Sequence, residues 1–220
     1  EGGHEGFGGL YELPNARAYC ETCAAIANVF WNHRMFLMTG DSKYVDVLER
    51  SLYNNVLSGV SLEGDRFFYP NPLESHGQHE RSEWFGCACC PSNICRFIPS
   101  MPGYVYAGTA NDLYVNLYIP SRISLAIAGD SLTLVQTGDM PREGKQRITL
   151  HMKKPVRAKI RLRIPLWASD DTFPGNLYKF EDHVGQKTEI TVNGQSAILR
   201  MDKGYAVLDR RWEPGDVVDI

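Results

Sequence analysis

The chain is 220 residues long, 43% hydrophobic and 22% charged, with a formal net charge of −3. This composition is ordinary for a folded globular protein, and the length suits one large domain or two small ones. The weakly acidic balance carries no basic footprint, so no nucleic-acid partner is expected. No apolar run approaches the ~20 residues that span a bilayer, so no membrane partner is expected either.

The chain opens on Glu1-Gly2-Gly3-His4 rather than on Met, and closes on the strand-like Asp216-Val217-Val218-Asp219-Ile220. The intact protein is therefore expected to continue on both sides. Residues 20–38 combine helix formers and aromatics, with Ala24, Ala25, Ile26, Phe30, Trp31, Met35, Phe36 and Leu37 spread nearly all round. That spread predicts a deeply buried helix, with Trp31 and Phe36 in the core. Gly40 suits its C-cap, and Asp41 or Ser42 the N-cap of a second helix reaching about residue 57. Along that helix Tyr44, Leu48, Leu52 and Val56 share one side, with Tyr53 also expected in the core, leaving Asp46, Glu49 and Arg50 for water. Gly59 can end it. Residues 65–73 read as extended, and 75–83 as a polar loop. Pro91-Ser92-Asn93 then opens a short helix carrying Ile94, Phe97 and Ile98, because proline fits a first turn.

Past Gly103 the apolar period falls from about four to two. Leu113, Val115, Leu117 and Ile119 alternate with Tyr114, Asn116 and Tyr118. Ile148, Leu150 and Met152 alternate again, as do Ala158, Ile160, Leu162 and Ile164 against Lys159, Arg161 and Arg163. Asn193-Gly194, between Ile190-Thr191-Val192 and Ala197-Ile198-Leu199, is a two-residue hairpin signal. These strands predict an antiparallel β-sandwich with one wet face. The boundary falls between Gly103 and Leu113, giving expected domains at 1–106 and 107–220.

The six cysteines, Cys20, Cys23, Cys87, Cys89, Cys90 and Cys95, all lie in the first half. Two tight clusters far apart in sequence suit a metal site better than a disulfide framework. Zinc takes four tetrahedral ligands from Cys, His, Asp or Glu, and four protein ligands ordinarily mean a structural ion. Helical geometry pairs Cys20 with Cys23, three apart on one face. Glu21 with Cys23 would require non-helical backbone at the helix start. Against this stands the plainer reading that small buried cysteines are common core residues, which is the expectation for Cys95.

Four segments carry a resemblance: Glu5-Gly6-Phe7, Tyr11-Glu12-Leu13-Pro14-Asn15, Tyr19-Cys20-Glu21-Thr22-Cys23-Ala24, and Trp84-Phe85-Gly86-Cys87-Ala88-Cys89-Cys90-Pro91-Ser92-Asn93. In order and spacing they are similar to the β-L-arabinofuranosidases of glycoside hydrolase family 127. The resemblance is strongest from residue 5 to about 117. It implies an α + β multidomain chain: the C-terminal portion of an (α/α)6 barrel followed by an antiparallel β-sandwich, cut at its C-terminus. It implies zinc as cofactor, held by Glu21, Cys23, Cys89 and Cys90, with Cys89 as nucleophile and Glu5 as general acid/base. Cys20 and Cys87 then support the site, though Cys20 departs from the family pattern. The implied partner is an oligosaccharide or glycan substrate, and the implied activity is retaining exo-hydrolysis of β-L-arabinofuranosides of plant glycans.

Retaining glycosidases need a nucleophile and a proton donor flanking the anomeric carbon, and here a thiolate would replace one of the two usual carboxylates. A glutamate among glycines is ordinarily a solvated loop residue, so Glu5 stands out only through its register with Tyr11, Pro14 and Glu21. His4, His76 and His79, with Glu12 and Arg17, are candidate sugar contacts, and Trp84 and Phe85 candidate pocket walls. Two alternatives remain open: the same fold acting on another pectin-derived sugar, and a non-catalytic carbohydrate-binding or scaffold protein with structural zinc. A zinc-bound thiolate resists oxidation, which leaves a periplasmic as well as a cytoplasmic setting open.

Overall fold

The computed structural model describes residues 6, 8–10, 12, 14–17, 19–140, 142–169, 174, 179–182 and 187–220. The chain divides into two compact units, Glu1–Met35 with Val47–Met101, and Phe36–Asp46 with Pro102–Ile220. Glu5 lies outside the described residues, as do His4, Tyr11 and Leu13.

The first helix, α1, runs Thr22–Thr39, and the second, α2, Ser42–Ser51. A π-helical turn, Leu52–Val56, extends α2 to nearly the expected end. Contrary to expectation, α1 is buried on one face only. Thr22, Ala25, Ile26, Val29, Asn32 and Phe36 form the buried stripe at helical spacing. Trp31 is 67% exposed, and Leu37, Met38 and Tyr53 are exposed as well. Apolar side chains all round a helix require partners all round it, and the described residues cover one side. The third helix, α3, spans Cys89–Phe97 with Pro91 in its first turn, and a four-residue helix, α4, follows at Pro102–Val105. Cys95 is exposed rather than core.

Among the described residues the second unit holds eleven strands in two sheets. One has the order β1-β2-β6-β10-β9, from β1 Tyr106–Gly108, β2 Asp112–Val115, β6 Val156–Arg163, β9 Arg200–Asp202 and β10 Tyr205–Trp212. The other has the order β3-β4-β5-β11-β7-β8, from β3 Ser121–Ile127, β4 Asp130–Gly138, β5 Gln146–Met152, β7 Thr191–Val192, β8 Gln195–Ser196 and β11 Val217–Asp219. Leu113, Ile160, Leu162 and Leu208 of the first sheet and Leu132, Leu134, Ile148, Leu150 and Val218 of the second are buried. Gln136 of β4 joins the sheets, donating to the Tyr106 hydroxyl at 2.7 Å.

The first sheet is mixed rather than antiparallel, because β2 and β6 pair in parallel with Leu113 opposite Ile160. Three strands of the other sheet intervene between them, and such a crossover returns the chain in the same direction. Asn193 and Gly194, at φ 54° and 76°, form the expected turn, with Thr191 opposite Ser196. Ala197 and Leu199 lie beyond the two-residue β8.

Three charges expected in water, Arg163, Asp46 and Glu49, are buried. Arg163, at the end of β6, is 0% exposed, and Asp46 of α2 is 7% exposed. They face each other: Arg163 Nη1 donates to Asp46 Oδ1 at 2.6 Å, and its Nε donates to the Asn116 carbonyl at 2.6 Å. The Leu166 backbone N–H donates to the same Asp46 oxygen at 3.1 Å. Losing one partner of a buried pair strands the other charge, at about 3–5 kcal/mol. Asp46→Ala is therefore expected to lower unfolding stability by about that much, read by urea denaturation. Asp209→Ala, which breaks the exposed pair with Arg157 at 3.1 Å, is expected to cost under about 1 kcal/mol. Equal losses in the two variants would contradict this account.

Candidate active site

The side chains of the site all belong to the first unit. Glu21 sits immediately before α1, outside the helix, in an isolated antiparallel bridge to Pro70. Three bonds fix that backbone. The Thr22 N–H donates to the Tyr69 carbonyl at 3.0 Å, and the Asn71 N–H and Nδ2 donate to the Cys20 carbonyl at 2.8 and 3.1 Å. Beneath them the buried Thr22 hydroxyl donates to the Phe68 carbonyl at 2.9 Å and accepts from Asn71 Nδ2 at 2.9 Å. The non-helical helix start that a Glu21–Cys23 pairing requires is thus present. Turned this way, Glu21 and Cys23 converge, and Cys20 is not among the clustered donors.

Cys89 and Cys90 are the first two residues of α3. The unpaired N–H groups and partial positive charge of a helix start favour a thiolate there. The donor atoms of Glu21, Cys23, Cys89 and Cys90 all lie within 4.8 Å of one another, a group able to hold a metal ion. The Sγ atoms of Cys23 and Cys90 are 3.4 Å apart, those of Cys89 and Cys90 3.8 Å. Glu21 Oε1 lies 3.8 Å from Cys89 Sγ and 4.0 Å from Cys90 Sγ. None of the six cysteines forms a disulfide.

The three sulfurs are not equivalent. Cys90 is 0% exposed, whereas Cys23 and Cys89 are half-buried. Burial pushes the Cys23 thiol up to about 11 and raises the Cys90 thiol still further. At Cys89 burial pulls upward too, but hydrogen bonds with Tyr69, then with Cys23, Cys90 and Cys87, outweigh it and hold the thiol below its ordinary value. Cys89 is therefore the sulfur most readily ionised.

Around Cys89 the aromatic rings are ordered. Tyr69 packs edge-on against Phe85 with centroids 5.7 Å apart, and Tyr19 lies 6.4 Å from Tyr69. Trp84 is exposed. His79 stacks on Phe68 at 4.7 Å and its Nε2 is 2.9 Å from the Pro70 carbonyl, so it supports the Glu21 bridge. His76 stands in solvent 3.6 Å from Glu74. Glu12 accepts the Gly9 N–H at 2.7 Å, and Arg17 is exposed.

Two family models match: Beta-L-arabinofuranosidase, GH127 catalytic domain, over residues 1–103, and Beta-L-arabinofuranosidase, GH127 middle domain, over residues 112–220. This chain belongs to glycoside hydrolase family 127. A curated relative, the non-reducing end β-L-arabinofuranosidase of Bifidobacterium longum subsp. longum, is 31% identical over 96% of this chain and 31% of its own length. A solved family 127 β-arabinofuranosidase is 48% identical over 99% of this chain and 35% of that chain, with a TM-score of 0.94. A family 127 β-L-arabinofuranosidase from Geobacillus stearothermophilus T6 is 38% identical over 94% of this chain and 32% of that one, with a TM-score of 0.82. The chain spans about a third of the length of these relatives.

Sequence reasoning missed Tyr69, Asn71 and Asn93. Asn93 donates through Nδ2 to Cys23 Sγ at 3.1 Å, a role that its position three residues after Cys90 on one helix face made discoverable. Tyr69 and Asn71 reach the site from an extended segment, and no local pattern marks them.

Gly59 makes the tight packing under Glu21 possible. A Cβ there would meet the Thr22 side chain at 2.7 and 2.8 Å and the Val56 carbonyl at 3.1 Å. Gly59→Ala is expected to cost about 1–3 kcal/mol through overpacking. It is also expected to weaken metal binding although it alters no donor, because Thr22 carries Glu21. A metal titration of the variant showing wild-type affinity would disprove the link.

Proposed function

We propose that this chain contributes the metal-holding and nucleophilic half of a retaining β-L-arabinofuranosidase active site acting on plant glycans. The observation that carries the reading is the four-donor cluster, with three sulfurs and one carboxylate within 4.8 Å of one another in a family 127 chain. Zinc–sulfur bonds of about 2.3 Å at tetrahedral angles set sulfurs about 3.8 Å apart, close to the separations seen here, and thiolate-rich sites suit zinc. Zinc bound there would keep Cys89 deprotonated at neutral pH and fix its direction. A site closed by four protein ligands is ordinarily structural. The accessibility of Cys89, half-buried at the start of α3 where Cys90 is fully enclosed, favours the catalytic reading instead.

In the proposed reaction the Cys89 sulfur attacks the anomeric carbon, forming a carbon–sulfur bond as the glycosidic carbon–oxygen bond breaks. Glu5 gives its proton to the departing oxygen. Glu5 then takes a proton from water, whose oxygen attacks the same carbon and releases the Cys89 thiolate. Two inversions return the original configuration. The assignment of Glu5 rests on its register with the family segments. The substrate class rests on the activity named for the relatives. The exposed apolar residues of α1 support placing the first unit in an (α/α)6 barrel, within domains at 1–106 and 107–220.

Separate substitutions test the roles. Cys89→Ala is expected to abolish hydrolysis of an arabinofuranoside. Glu5→Gln is expected to slow substrates with poor leaving groups by about 10²–10⁴-fold and aryl glycosides with good ones far less. Full activity of Glu5→Gln on both, with unfolding of Cys89→Ala, would replace this reading with structural zinc.

Zinc loading should also release protons. The raised Cys23 and Cys90 thiols are protonated at neutral pH in the metal-free protein, and ligation requires thiolates. Protons compete with the metal, so affinity is expected to rise with pH across the neutral range. Calorimetry in buffers of different ionisation enthalpy reads the protons released, and a pH-independent affinity would contradict the assignment.

A further inference from the structure

We infer that Asn93 is a positioning residue for the metal site, bracing the Cys23 sulfur on α1 against α3, with Arg96 fixing which end of its amide faces the sulfur. The inference rests on reading the cysteine cluster as a metal site. Asn93 rides α3 three and four residues after Cys90 and Cys89, on the same helix face. Its Nδ2 lies 3.1 Å from Cys23 Sγ. Its Oδ1 accepts Arg96 Nη2 at 2.6 Å. A guanidinium carries donors only, so the amide oxygen must face Arg96 and the NH2 must face the sulfur. An N–H aimed at sulfur is strongest when that sulfur is an anion.

The arrangement answers a problem the cluster creates. Two of the sulfurs start α3 and their spacing follows from that helix. The third comes from α1, which no covalent link holds in register with them. Asn93 supplies a directional bond between the two helix starts, one turn below the donors. It touches Cys23 rather than Cys89, so the proposed nucleophile is left without an amide donor from this residue. Asn93 acts through Cys23 and is not itself a catalytic residue.

The test strips the metal from the protein, titrates zinc against a competing chelator, and records the thiolate-to-cobalt charge-transfer band of the cobalt(II)-substituted form. Asn93→Asp keeps the acceptor for Arg96 and replaces the donor with a carboxylate facing the sulfur. It is expected to lower zinc affinity about 10–100-fold and to shift the cobalt band. Arg96→Met is expected to act in the same direction to a smaller extent, and Arg96→Lys to restore most of the loss. Thermal melts of the metal-free forms identify a variant that fails to fold. Should Asn93→Asp not fold, the Arg96 pair decides, because a merely structural contact at the helix surface would leave the cobalt band in place. Wild-type zinc affinity with an unchanged band in both Asn93→Asp and Arg96→Met overturns the role of Asn93 while the metal site stands. A wild-type protein that takes up no stoichiometric zinc removes the metal reading and this inference together.

Discussion

Glu21, Cys23, Cys89 and Cys90 crowd four ionisable groups into one space, where burial first and mutual repulsion second oppose charge. Their donor atoms stand within 4.8 Å of one another, and two unit charges about 4 Å apart interact by about 4 kcal/mol at an effective dielectric constant near 20. Four anions cannot share that space alone. Either protons or a cation must neutralise them, and burial decides which sulfurs keep their protons first. Cys90, fully enclosed, is pushed furthest up; Cys89, with Tyr69 as donor, is held down. The fold therefore holds a graded set of sulfurs, with the one whose thiol is held lowest half-buried beside the Tyr69–Phe85 pair.

The second unit meets the same difficulty differently. Asp46 and Arg163 are buried too, but each carries its own counter-charge, and a backbone group adds one hydrogen bond to each. Tyr118 donates to the Arg163 carbonyl at 2.6 Å and Tyr205 to Asn116 Oδ1 at 2.7 Å, so the pair sits inside a network of polar contacts. A self-neutralised site needs no ion. The contrast separates a buried charge that specifies a structure from one that calls for a ligand.

Much of this was legible in the chain. The change of apolar period from four to two located β2, β5 and β6 but not β10, and Asn193-Gly194 located a turn, because positive φ at both positions favours those residues. The β3–β4 hairpin escaped notice: its turn uses Ala128 at φ 51° and Gly129, and alanine carries no turn signal. Arg163 escaped because its neighbours Lys159 and Arg161 on the same face are partly exposed, so alternation alone put it in water. Arg163 and Asp46 were misread for one reason. Their partner lies 117 positions away, and a local pattern cannot register a pairing made by the fold.

Helical periodicity pointed to Cys20, and family resemblance to Glu21. The first argument is geometric and the second rests on resemblance, and what separates them in the structure is where the helix begins. The bridge to Pro70 ends the extended segment at Glu21, and the helix takes over at Thr22. One residue of register thus turns Glu21 toward Cys23 and leaves Cys20 to offer its carbonyl to Asn71 instead. That boundary is held by Thr22, Asn71 and the absent side chain of Gly59, none of which supplies a donor to the cluster. The composition of the four-donor cluster is therefore set by a backbone junction, and the residues that fix the junction decide which donors meet as firmly as the donors themselves.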